Sequence, residues 1–234
     1  MRRGRRNVLA ATAATLAALV TAGALHPALA FDPFGPSGTV VVTPASSNQF
    51  AGTYDRGAGS RGFTSRLGAP PGGGTGALEL RTPGDDDRIQ FGTDEIAGPL
   101  GRFRSSSYWA VRDPASPGTA MPSFQIAVDI DGGNLEPRDL HVLSYVPEPA
   151  PAGEWTRYDV GSGTFCLIRQ VGAADAYREC VAGGERRTLD QIIETYPQAT
   201  GYAAGVNQGG GTAGLVSAVD LIQVGNRTYD LEPG

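Results

Sequence analysis

Along most of this chain, apolar and polar residues alternate with a period of two, and the alternating runs are short. The clearest run is 123–131, in which Phe124, Ile126, Val128 and Ile130 point to one side of a strand and Gln125, Ala127, Asp129 and Asp131 to the other. The pattern predicts one face packed into a core and one free to meet solvent or a ligand. Similar β-branched or alternating segments occur at 39–43, 77–82, 88–91, 106–112, 140–146, 155–160, 164–170, 201–207, 215–224 and 227–231. Eleven short strands with turn clusters between them predict an all-β fold, an antiparallel jelly-roll sandwich.

Helical spacing occurs only at 188–196. There Thr188 is placed as N-cap, Asp190 and Gln191 fall in the first turn, Leu189, Ile192 and Ile193 share a face, and Pro197 stops the element. One short helix on the edge of a sandwich is the expectation. Glycine-rich stretches at 57–62, 70–76 and 208–214 read as loops, and no internal repeat is visible.

The N-terminus breaks the pattern. Arg2, Arg3, Arg5 and Arg6 precede an uncharged, alanine-rich apolar run from 8 to 25, followed by Ala28 and Ala30 at the −3 and −1 positions of a cleavage site. Residues 1–30 therefore read as a cleavable signal peptide, and the exported protein as a single domain over 31–234 with a short Pro/Gly-rich lead-in at 31–38. A retained membrane anchor is the competing reading, since the run approaches the roughly 18–20 residues that span a bilayer; its weak hydrophobicity and its A-x-A site favour removal. Gly4-Arg5-Arg6-Asn7-Val8-Leu9 suits the twin-arginine route as well as an ordinary Sec signal. The expected location is secreted, extracellular or in the cell envelope, with no stable membrane insertion after cleavage.

Cleavage changes the charge. It leaves 15 arginines against 24 acidic residues, a net charge of −9, which argues against nucleic acid or an anionic membrane as partner. The chain has no lysine, so a lysine base or Schiff base is excluded. Cys166 and Cys180 both fall in the exported part, where an oxidising compartment favours a disulfide between them. A metal site is the competing reading, but too few cysteines and histidines lie nearby to complete one.

The segments Pro122 to Asp131, Gly153-Glu154-Trp155-Thr156-Arg157-Tyr158-Asp159 and Val219 to Leu231 resemble strands of the concanavalin A-like and galactose-binding-like jelly rolls of secreted bacterial proteins. The resemblance is one of strands, so it implies a fold rather than an activity. A comparison with alginate-lyase jelly rolls is instructive: Glu79 and Arg81, Gln125-Ile126-Ala127 and Tyr202 to Gln208 echo their motifs in order, but Ala127 stands where the histidine is expected and the lysine is missing. Those losses remove the groups that neutralise a uronate and move a proton.

Candidate chemistry is sparse. His141 is the single histidine after cleavage, placed by alternation beside Leu143 and Tyr145, and no G-x-S-x-G occurs. Asp129 and Asp131 share a strand face at a spacing that would permit paired-carboxylate glycoside chemistry, but the Gly132-Gly133-Asn134 that follows favours reading them as solvated acids of a turn. A structural calcium is the one cofactor candidate, at Asp129, Asp131 and Asn134 or at Asp85-Asp86-Asp87. Sugar binding without catalysis asks for less: aromatic faces and planar amides. Tyr108, Trp109, Gln125, Asp129, Asn207 and Gln208 supply these types, with one of the adjacent Tyr108 and Trp109 expected in the core; Trp155 and Tyr158 are expected there too. The leading expectation is a secreted, non-catalytic sandwich that binds a carbohydrate or cell-envelope component. A glycan-active enzyme of the same fold and a structural envelope protein are the alternatives.

Overall fold

The computed structural model describes residues 37–50, 54–132, 140–169 and 185–234. The expected signal peptide, Asn134 and Cys180 lie outside the described residues. Among those described, fifteen strands form two sheets. The first holds β1 (Gly38–Val42), β3 (Ser60–Thr64), β4 (Ala77–Thr82), β7 (Ser107–Arg112), β10 (Thr156–Asp159), β14 (Leu215–Val224) and β15 (Arg227–Leu231). The second holds β2 (Tyr54–Arg56), β5 (Arg88–Thr93), β6 (Gly98–Pro99), β8 (Ser123–Asp129), β9 (Leu140–Tyr145), β11 (Thr164–Arg169), β12 (Arg187–Thr188) and β13 (Thr200–Gly209).

β14 organises the first sheet. β7 runs along one edge of it, while the other edge pairs with β4 over 215–219 and with β15 over 222–224. Between the two partners the strand bulges: its register against β7 shifts after Asp220, and Leu221 takes a φ of 43°. The extra residue lets Val219 and Ile222 both reach the core, which strict alternation forbids. The second sheet runs β12-β11-β9-β8-β13-β5-β2, with β6 added to β13. Neighbours are antiparallel throughout except β1 and β15, which run parallel.

One hydrophobic core joins the sheets. Leu78, Leu80, Val219 and Tyr229 come from the first, and Ile89, Phe91, Phe124, Ile126 and Val206 from the second. The alternation read along 123–129 holds, with Phe124, Ile126 and Val128 turned inward; each such buried side chain contributes about 1.5–3 kcal/mol. Phe50 stacks on Phe91 at 4.2 Å between ring centres and meets Tyr229 edge-on at 4.7 Å. Tyr158 joins this core, whereas Trp155 packs with Leu67, Ala77, Val111 and Ala218 on the outer face of the first sheet and donates its indole N–H to the Leu67 carbonyl.

The helix, α1 (Leu189–Thr195), carries the expected cap in full. Thr188 Oγ1 accepts from the Gln191 N–H, and Gln191 Oε1 accepts from the Thr188 N–H. Its apolar side rests on the 3-10 turn Leu100–Ser105, burying Leu189 and Ile192. The glycine-rich stretch 57–62 is a loop only at its start, because Ser60–Thr64 pairs with β4 as an edge strand. Among the described residues, no helix is long and apolar enough to cross a membrane. Cys166 is buried in β11.

Candidate functional site

The second sheet turns an unusually polar face away from the core. Register aligns Gln90 of β5, Asn207 of β13 and Ser123 of β8 in one row, and Gly92, Gly205, Gln125 and Ser144 of β9 in the next. Gln90, Ser123, Gln125, Ser144 and Asn207 thus share one face, and all five are buried. The two glycines leave bare backbone between the amides; a Cβ at Gly205 would stand 2.2 Å from the Phe91 carbonyl oxygen.

These groups bond one another incompletely. Gln90 Nε2 donates to Gln125 Oε1 at 3.0 Å, Asn207 Nδ2 donates to Ser123 Oγ at 3.2 Å, and Ser123 Oγ donates to the Asn207 carbonyl at 3.1 Å. Gln90 Oε1, Asn207 Oδ1 and Ser144 Oγ have no partner. A buried polar atom without a partner costs about 1–3 kcal/mol, so three on one sheet face are a feature that folding alone does not reward.

A cleft of about 380 Å³ opens at the Asn207 and Ser123 end of this patch. Met121, Val146, Pro147 and Pro149 give it apolar walls, while Arg186 and Glu148 add one charge of each sign. Glu148 is the single carboxylate among its described lining residues. A second cleft, of about 420 Å³, is bordered by Ser47, Arg61 and Phe63.

The residues singled out from sequence separate into distinct places. Gln125 and Asn207 lie in the polar patch, and Asn207 also borders the cleft. Gln208 borders the cleft too, but its side chain points between the sheets: Nε2 donates to Thr82 Oγ1 at 3.0 Å and to the Leu215 carbonyl at 3.1 Å, and Oε1 accepts from Ser217 Oγ at 2.5 Å. Tyr108 is wholly buried in the core, its ring 5.3 Å from Tyr158 and 6.0 Å from Phe124, with its hydroxyl donated to the Pro122 carbonyl. Burial pushes its phenol well above the ordinary value. Trp109, next in β7, points to the opposite, outer face of the first sheet, so neither ring joins the patch.

Asp129 is buried at the end of β8, where Oδ1 accepts from the N–H groups of Asp131 and Gly132 at 3.0 and 3.2 Å. It closes the turn, and Asp131 stands exposed beside it. Asp87 acts similarly, accepting from the N–H groups of Gly84 and Ala58 at 2.6 and 2.7 Å. His141 lies with Leu143 and Tyr145 on one strand face, as alternation requires.

Gln90 and Ser144 went unnoticed in the sequence. Nothing in their own segments marks them; only the register across four strands brings them beside Gln125 and Asn207. No family model, curated protein or solved structure matches this chain.

Proposed function

We propose that the chain is an exported, non-catalytic jelly-roll protein that binds a neutral carbohydrate of the cell envelope or its surroundings at the cleft beside Asn207. The observation that carries this reading is the cleft that Asn207 lines, next to a sheet face on which the buried acceptors Asn207 Oδ1, Gln90 Oε1 and Ser144 Oγ have no partner. Sugar hydroxyls are the donors such acceptors lack, and the amide N–H groups already engaged by Ser123 and Gln125 hold the acceptors in fixed orientation. The balanced pair Arg186 and Glu148 favours a ligand without net charge. A single carboxylate in the cleft favours binding over hydrolysis, which calls for two. Export through the leader at 1–30 and a Cys166–Cys180 disulfide belong to the same proposal.

A glycan array on the mature protein, followed by calorimetric titration of any hit, tests it. Asn207→Ala should weaken a hit at least tenfold, about 1.4 kcal/mol, without unfolding the protein. Absence of any glycan bound at millimolar concentration, or unchanged affinity in Asn207→Ala, refutes the reading.

A further inference from the structure

Three carboxylates converge on the outer face of the first sheet, at the bulge of β14. Asp220 stands in the bulge, Asp230 in β15 and Glu232 just beyond it, and one oxygen of each lies within 4.8 Å of the other two. Asp220 is completely buried. Its Oδ1 accepts from the N–H groups of Leu221 and Leu231, both at 2.7 Å, and so fills the gap in the ladder where β14 exchanges β4 for β15. Its Oδ2 has neither a partner nor exposed surface, and Asp230 Oδ1 is in the same condition. No salt bridge among the described residues reaches any of the three.

The loop before β4 closes over them. Thr75 donates its N–H and its hydroxyl to the Glu232 carboxylate at 2.9–3.0 Å. Gly73 and Gly74 press on the cluster so closely that a Cβ would stand 2.7 Å from Asp220 Oδ2 and 2.1 Å from Glu232 Oε1, respectively. Three carboxylates held this close, one of them with a desolvated oxygen that has no partner, are relieved by protonation or by a compact positive guest. Oxygens that share one calcium ion, each about 2.3–2.6 Å from it, lie at most about 4.6–5.2 Å apart, a limit this cluster meets; a cage of several carboxylates suits calcium's flexible coordination, whereas magnesium demands a strict octahedron and keeps its waters.

We infer that Asp220, Asp230 and Glu232 bind one calcium ion, which ties the glycine loop at 72–75 to the C-terminal strand. This site is separate from the cleft at Asn207, and the inference stands whether or not that cleft holds a glycan. It differs also from the calcium positions considered at Asp85 to Asp87 and at Asp129, where the Asp87 and Asp129 carboxylates cap turns.

Calorimetric titration of chelator-dialysed mature protein with calcium chloride, and separately with magnesium chloride, tests the inference alongside thermal melts. The expected result is one calcium per chain, a melting temperature raised by calcium and not by magnesium, and affinity reduced at least tenfold in both Asp220→Asn and Asp230→Asn. Asp230 is only partly buried, so its variant carries the test if Asp220→Asn fails to fold. No stoichiometric binding up to about 10 mM, above the roughly 0.1–1 mM constants of extracellular calcium modules, overturns the inference. So does wild-type affinity in Asp230→Asn, or equal binding of magnesium.

Discussion

Asn207 and Gln208 are adjacent in β13 and face opposite sides of the second sheet, so replacing each in turn separates ligand recognition from stability. Gln208→Leu keeps the volume and deletes three hydrogen bonds that tie β13 to β4 and β14. At about 1 kcal/mol per bond, with a further penalty for the stranded Ser217 hydroxyl, the loss is about 3–4 kcal/mol. A domain of this size shifts by roughly 2–4 °C per kcal/mol, so the melting temperature should fall by about 6–16 °C. Asn207→Ala deletes one bond, to Ser123 Oγ, and also removes the unpartnered Oδ1, so its cost stays within about 1 kcal/mol. Guanidinium unfolding of both variants, read beside the calorimetric titration, is the assay. Gln208→Leu with wild-type stability and lost binding would reverse the assignment of the two side chains and refute the reasoning.

In calcium-free protein, burial pushes the Asp220 carboxyl up from its ordinary 3.8 to about 7, and the neighbouring charges of Asp230 and Glu232 add to the push. A raised native value makes the stabilisation whole below about pH 4 and lost as pH rises through about 7, worth up to about 4 kcal/mol. Urea melts in chelator should show that decline, and an equal decline in Asp220→Asn rules out Asp220 as its source. Gly161→Ala would set a Cβ 1.7 Å from the Arg104 carbonyl oxygen, which is backbone and cannot swing aside. Chemical denaturation should place its cost at the upper end of the roughly 1–3 kcal/mol of overpacking, whereas Gly62→Ala, with open space around it, should stay within about 0.5 kcal/mol of wild type. Thr188→Ala removes the side-chain half of the capping box while its backbone N–H can still donate to Gln191 Oε1, and should cost about 1 kcal/mol, visible as a shifted denaturation midpoint with unchanged slope.

Local physics made much of the fold legible. The strands at 77–82, 215–224 and 227–231 occur with the bounds that alternation and turn residues indicate, and the helix begins at the Thr188 cap. The strands missed are short: β2, β3, β6 and β12 have between two and five residues each. None carries enough alternation to stand out from a loop. Pairing with β5, β4, β13 and β11, respectively, makes them strands, and that is long-range information.

The two candidate sites show the same division. Residue type and strand face pointed to Gln125 and Asn207, but the alternation that separates neighbours could not say which of Asn207 and Gln208 faces the core. Asp220 was harder still. Read as regular strand, Val219-Asp220-Leu221-Ile222 turns Val219 and Leu221 to one side and Asp220 and Ile222 to the other, which puts an aspartate and a core isoleucine on one face. The bulge at Leu221 resolves the conflict, sending Ile222 inward and leaving Asp220 outward beside Asp230 and Glu232. An acid in register with an apolar core residue, in a strand otherwise rich in Val, Ile and Leu, is thus the sequence trace of a break in the ladder. Because that break is where β14 changes partners, the acid that marks it spends one oxygen on the N–H groups of Leu221 and Leu231 and is left with a second that is buried and without a partner.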